Sequence, residues 1–234
     1  MRSPKLITEP ALRRTLVHLC HTLYERGLLV ALDGNLSVRL GDDAVLCTAG
    51  GTHKGRITED DLVVTSLDGQ WLRGLGTATS EIHLHLACYR NRPDVQAVVH
   101  AHPPHAIAAM LADISMLPPY LPETVLNLGP IPTLPYIRTG TMALADQVGE
   151  AAIRHDAMLL DRHGVVTVGQ SLESACDHLE AVEHLAKILL IAGQRTHVQP
   201  LDATEAASLR RIGLERYGGP PVVVAEAGIT RNSR

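Results

Sequence analysis

Phenylalanine is absent from this chain, and aromatic residues of every kind make up 3 % of it. The core therefore has to be built from Leu, Val, Ile and Ala. Lysine and arginine do not outnumber the acids: the formal net charge is −4. With neither a basic patch nor an aromatic pattern, nucleic-acid binding has no support. Cysteine is scarce. Cys20, Cys47, Cys88 and Cys176 are far apart and form no CxxC pair. Nothing resembling a secretory signal precedes the first helical stretch, so the expectation is reduced thiols in the cytoplasm. No apolar run approaches the roughly 20 residues that a membrane-spanning helix needs, which points away from the membrane.

What remains is 234 residues with 45 % apolar and 20 % charged side chains, enough for one large domain with a sizeable core. Histidine is plentiful at 13 residues, which raises the prior for metal or acid–base chemistry.

The local patterns predict an α/β order. Leu12, Leu16, Leu19 and Leu23 repeat at helical spacing within Pro10–Arg26, and Gly27 stops that helix. A turn at Asp33-Gly34 leads into a strand ending at Leu40, with Ala44–Cys47 as its hairpin partner. Thr48 to Gly55 reads as a small-residue loop, and Leu62–Ser66 as a third strand. Thr79–Asn91 reads as a helix capped by Thr79 or Ser80, with Glu81 in its first turn. Val95–His102 is a strand, ended by Pro103, and Pro104–Leu111 a helix. A Pro-rich connector, Leu117 to Pro135, holds short extended pieces. Thr141–His155 reads as a helix, Ala157–Asp161 and Val165–Val168 as strands, and Leu172–Ala192 as a long amphipathic helix. Residues after Pro200 form a short helix and a polar tail. With no internal repeat and no linker, residues 1–234 read as one domain, 201–234 being its C-terminal helix and tail.

The chemistry concentrates in Val98-Val99-His100-Ala101-His102-Pro103. On a strand, residues two apart project from one face, so His100 and His102 would offer two imidazoles, half of a tetrahedral metal site. The spacing alone leaves a solvated histidine pair equally open. His163 lies directly before Gly164, where the missing side chain permits a tight turn or a close approach. A third imidazole from that turn would complete a site with an open position. Glu81, at a helix start, is the natural acid–base candidate, against the commoner role of an ordinary N-terminal helix acid. His85 is one helical turn on and could pair with it. His83 and His85 form a second HxH, but on a helix they diverge, and both read as packing or rim residues. Asn35, Ser37, Gly50, Gly51, Thr79 and Ser80 are small or polar groups at turns, where backbone amides can bind anions, with Lys54 as an added charge.

In their order along the chain, GNLSVR, TAGGTHKGRI, TSEIHLHLACYRNRPDVQAVVHAHPP and RHGVVTVG resemble the class II aldolase/adducin family, from about Leu12 to about Ala192. The resemblance implies a central, mainly antiparallel sheet between helical layers. It implies His100, His102 and His163 as ligands of a divalent metal, Zn2+ first, with Mn2+ or Co2+ as alternatives. It further implies Glu81 as the catalytic carboxylate, and Asn35, Gly50, Gly51, Thr79 and Ser80 as the positions that hold a substrate phosphate. A homotetramer with sites at subunit interfaces follows from the same resemblance. The chain departs from the family pattern at Gly50, where a Ser or Thr usually stands, and near Leu121, where the sugar-phosphate aldolases carry a catalytic tyrosine; Tyr120 is adjacent. Tyr217 is a further candidate, with no motif behind it, for reaching a neighbouring subunit's site.

The expected activity is that of a lyase acting on a small hydroxy-ketone, a sugar or sugar phosphate. Retro-aldol cleavage through a metal-stabilised enediolate stands first. Decarboxylation of an oxo-acid or hydroxylated aromatic acid stands second, with Lys54 or Arg138 as carboxylate partner. Epimerisation and dehydration rank lower, and the intact ligand set argues against a non-enzymatic scaffold.

Overall fold

The computed structural model describes residues 8–194 and 198–220. Eight strands form one sheet in the order β4-β3-β2-β1-β5-β8-β7-β6. The strands are β1 (Asn35–Leu40), β2 (Ala44–Thr48), β3 (Leu62–Ser66), β4 (Trp71–Arg73), β5 (Ala97–Ala101), β6 (Thr133–Leu134), β7 (Ala157–Leu160) and β8 (Gly164–Gly169). Every pairing is antiparallel except that of β6 with β7. The mainly antiparallel sheet expected from the family resemblance is present.

The helices are α1 (Glu9–Glu25), α2 (Ile82–Asn91), α3 (Pro104–Leu111), α4 (Pro122–Asn127), α5 (Met142–Ala152), α6 (Leu172–Gly193) and α7 (Ala203–Tyr217). They divide between the faces of the sheet, giving three layers. Leu36, Val38, Val99 and Val165 pack with α1, α3 and α6 in one core. Val45, Val98, Val166 and Val168 pack with α2 and α5 in the other. Period-2 alternation along each strand sorts these two sets. On β1, Leu36 and Val38 face the first core, so Asn35, Ser37 and Arg39 turn toward α2. On β5, His100 shares the α2-facing side with Val98.

Several local expectations need correction. The β5 strand ends at Ala101, one residue short of His102. Glu81 is the N-cap residue of α2 rather than part of its first turn. The reason is the turn before it: the Thr79 carbonyl accepts from Ile82 N at 3.1 Å, and the Thr79 hydroxyl accepts from Glu81 N at 3.3 Å. The Pro-rich connector contains a helix, α4, begun by Pro122 at a position where the lost N–H would have no helical partner. Edge strand β4 had no strand signal in three exposed residues. The segment after Pro200 forms a 15-residue helix rather than a short one. The polar tail 221–234 lies outside the described residues. No helix among the described residues is long and apolar enough to cross a membrane.

Candidate metal and substrate site

Three elements converge at one end of the sheet. His100 is the penultimate residue of β5, His102 the first residue beyond it, and His163 stands in the turn between β7 and β8. The Nε2 atoms of His102 and His163 each lie 3.2 Å from His100 Nε2. The rings are not parallel, as a regular strand would make them: those of His100 and His102 meet edge to face at 83°. Leaving the strand at Ala101 turns the second imidazole onto the first.

Gly164 explains how the third ring gets so close. A Cβ there would stand 2.4 Å from the Ala101 carbonyl oxygen and 2.5 Å from His102 Cδ2. Any side chain would push the β7–β8 turn away from the pair. Gly34, with φ +78°, has the same role before β1, where a Cβ would meet Leu29 at 2.4 Å and the His100 carbonyl at 2.9 Å.

Glu81 closes the cluster from the α2 side. Its Oε2 is 3.2 Å from His100 Nε2 and its Oε1 3.4 Å from His163 Nε2. The His100 Nδ1 faces the Val165 carbonyl at 3.0 Å and donates to it, which leaves Nε2 as a bare acceptor. Burial first, and then the neighbouring His100, pushes His102 and His163 down to about 4, so both are neutral near pH 7. Burial works to raise the Glu81 carboxyl, but the imidazoles of His100 and His163 beside it and the hydrogen bond from Asn35 hold it well below the usual carboxylate range.

This donor set fits a cation. Neutral Nε2 lone pairs and a carboxylate repel one another at such distances unless positive charge lies among them. Glu81 Oε1 is buried with no hydrogen-bond partner among the described residues. Ligands 2.0–2.1 Å from a tetrahedral ion lie about 3.3 Å apart, close to the 3.2 Å found here. The three histidines form a group that could hold a metal ion.

A cavity of about 410 Å³ opens beside them, with His102, His163 and Glu81 in its wall. Asn35, Gly50, Gly51, Thr79, Ser80 and Lys54 also line it, so all the expected substrate-binding positions face one space. Their donors are not equally available. The Gly50 N–H donates to the Thr77 carbonyl at 2.9 Å, whereas no such partner engages the Gly51 N–H among the described residues. Lys54 is buried, and its Nζ donates to the Leu32 and Thr52 carbonyls at 3.0 and 2.9 Å. An ammonium has three N–H groups, so one remains for the cavity.

Other candidates are placed elsewhere. Arg138 is exposed and is not part of the wall, whereas its neighbours Thr139 and Gly140 are. Tyr120 is half-buried and packs against the first core, outside the cavity wall. Tyr217 lines a separate cavity of about 270 Å³ with Val95 and Gly169, at the opposite ends of β5 and β8. His85 does not pair directly with Glu81; Asn35 stands between them. His83 is exposed while His85 is fully buried. Asp33, whose Oδ2 is 3.9 Å from His102 Nδ1, was not singled out in the sequence, where it looked like part of an Asp-Gly turn.

The family model described as Class II Aldolase and Adducin N-terminal domain matches residues 14–190. The chain belongs to this family. It is 34 % identical to the 3-oxo-tetronate 4-phosphate decarboxylase of Escherichia coli K12 over 206 residues, 86 % of this chain and 96 % of that one. It is 36 % identical to the L-fuculose phosphate aldolase of Methanococcus vannielii over 172 residues, 74 % of this chain and 92 % of that one. Among solved structures, YgbL of Klebsiella pneumoniae, described as an aldolase/epimerase/decarboxylase, superposes with a TM-score of 0.82 at 32 % identity. That match covers 87 % of this chain and all of the other. As a class II aldolase-family chain, the protein stands among lyases, and the two relatives share one chemical step, the breaking of a carbon–carbon bond.

Proposed function

We propose that this protein is a metal-dependent lyase that decarboxylates a small phosphorylated oxo-acid. The observation that carries the reading is the convergence of three imidazole Nε2 atoms and Glu81 on the wall of a cavity that also presents anion donors. His100, His102 and His163 would hold a divalent ion, and that ion would supply Lewis acidity for an oxyanion developing next to the bond that breaks. The chain's own residues do the rest. Gly51, Thr79, Ser80 and the second N–H of Asn35 bind and orient the phosphate end. Lys54 offers its remaining N–H to a second anionic group, the carboxylate. The C–C bond that breaks leaves its electron pair on the carbon as CO2 departs, and Glu81 relays to that carbon the proton it then takes up from solvent.

This order reverses the sequence expectation, in which retro-aldol cleavage stood first. The decarboxylase relative is matched over more of both chains than the aldolase. A retro-aldol step also needs an acid or base at the departing aldehyde, and Tyr120, next to the family's tyrosine position, is half-buried against the core and does not line the cavity. Aldol cleavage remains the second reading, favoured by the aldolase relative.

The test is a product assay on metal-loaded protein against phosphorylated 3-oxo-acids and ketose phosphates. CO2 release from the acids with no aldehyde release supports the proposal. Aldehyde release alone supports the second reading, and turnover unaffected by removing all metal overturns both.

A further inference from the structure

Behind Glu81 runs a buried chain of hydrogen bonds whose direction can be worked out link by link. An ionised carboxylate only accepts, so Asn35 meets Glu81 Oε2 through its Nδ2, at 3.1 Å. The amide oxygen then points the other way, and Asn35 Oδ1 lies 2.6 Å from His85 Nε2. That nitrogen must carry the hydrogen. A neutral imidazole protonated on Nε2 has a bare Nδ1, which accepts from the Ser37 hydroxyl at 2.7 Å. Ser37 Oγ in turn accepts from the Tyr89 hydroxyl at 2.7 Å. His85 and Ser37 are completely buried and Tyr89 nearly so, which leaves water no way to replace a link. None of the three lines the cavity, so none is placed to touch substrate.

We propose that His85, backed by Ser37 and Tyr89, is a positioning residue for Glu81 and acts through Asn35. Its Nε2–H holds the Asn35 amide in the one orientation that presents nitrogen to the carboxylate and the second N–H to the cavity. With the amide reversed, Oδ1 would face Glu81 and two sets of lone pairs would oppose each other. The alternative is that these residues merely fill the space between β1 and α2 with satisfied polar groups. The effect on turnover rests on the lyase reading above; the hydrogen-bond direction does not.

The two roles separate with two substitutions of similar polarity. His85→Gln keeps an amide nitrogen near the Nε2 position, whereas His85→Asn reaches only as far as Nδ1. In metal-loaded protein, His85→Asn is expected to lower kcat about 10- to 100-fold with KM within about threefold. His85→Gln should recover to within about fivefold of wild type, with bound metal unchanged in both. In an Asn35→Ala background, His85→Asn should cost less than a further twofold or so, because the link is already cut. Equal losses in the Gln and Asn variants, or additive losses with Asn35→Ala, overturn the proposal.

Two spectroscopic measurements need no turnover. Nitrogen NMR of histidine-labelled, zinc-loaded protein should show His85 protonated on Nε2 and bare on Nδ1. The carboxylate stretch of Glu81, identified by difference against Glu81→Gln, should shift in His85→Asn more than in His85→Gln. A proton on Nδ1, or a Glu81 band indifferent to both variants, overturns the proposal even in a protein that releases CO2. If instead no substrate is cleaved by wild type while both spectra come out as expected, the lyase reading fails and the positioning of Glu81 stands.

Discussion

At the scale of single residues, the site depends on groups that are costly to change for different reasons. Replacing His100 with Ala removes the central imidazole, whose Nε2 neighbours those of both other histidines. Elemental analysis should find the bound metal lost together with activity. Glu81→Gln keeps the shape and loses the proton relay. It should retain metal and lower kcat about 10²- to 10⁴-fold, as loss of a general acid–base group does. Gly164→Ala acts through space alone: its Cβ would stand 2.4 Å from the Ala101 oxygen. Overpacking of this kind costs about 1–3 kcal/mol, so thermal unfolding should shift down and the β7–β8 turn should carry His163 outward. Metal titration of that variant measures the second effect.

At the scale of elements, α3 has no side-chain cap of its own, because its N-cap residue is Pro103, whose ring has no acceptor. A neighbouring helix supplies one. Glu183 on α6 accepts from the backbone N–H groups of His105 and Ala106 at 3.1 and 2.9 Å and lies 2.6 Å from His105 Nδ1. A carboxylate at a helix N-terminus is favourable, and removing a cap costs about 0.5–2 kcal/mol. Glu183→Ala should lower stability by that order in denaturant unfolding. Since α3 starts two residues after His102, metal affinity should weaken as well. Sequence periodicity predicted α3 with the observed bounds, and β3 likewise, but no local pattern points to a cap 78 residues away.

At the scale of the molecule, buried thiols and an exposed sheet edge make predictions of opposite character. The four cysteines are buried, and burial pushes the thiols of Cys20, Cys47 and Cys88 up to about 12. Thiol-directed reagents should label none of them until the protein is unfolded. Edge strand β4 and the residues after it expose Trp71, Leu72 and Leu75. A strand edge with bare apolar side chains is a surface that proteins usually cover. Light scattering on the eluting peak should report an assembly rather than a monomer.

The sequence by itself determined much of the strand and helix order, because alternation and helical spacing are local and each is carried by a handful of apolar residues. It also singled out the histidines, Glu81 and the turn residues, since their types and order carry the family pattern. It did not reveal that β5 stops at Ala101, that Gly50 gives its N–H to Thr77, that Arg138 faces away, or that Asn35 links Glu81 to His85. Each of these depends on which groups from distant segments end up within about 3 Å, the range of a hydrogen bond. Only the packed sheet, with β1 laid between β2 and β5 and α2 across its face, brings such groups together.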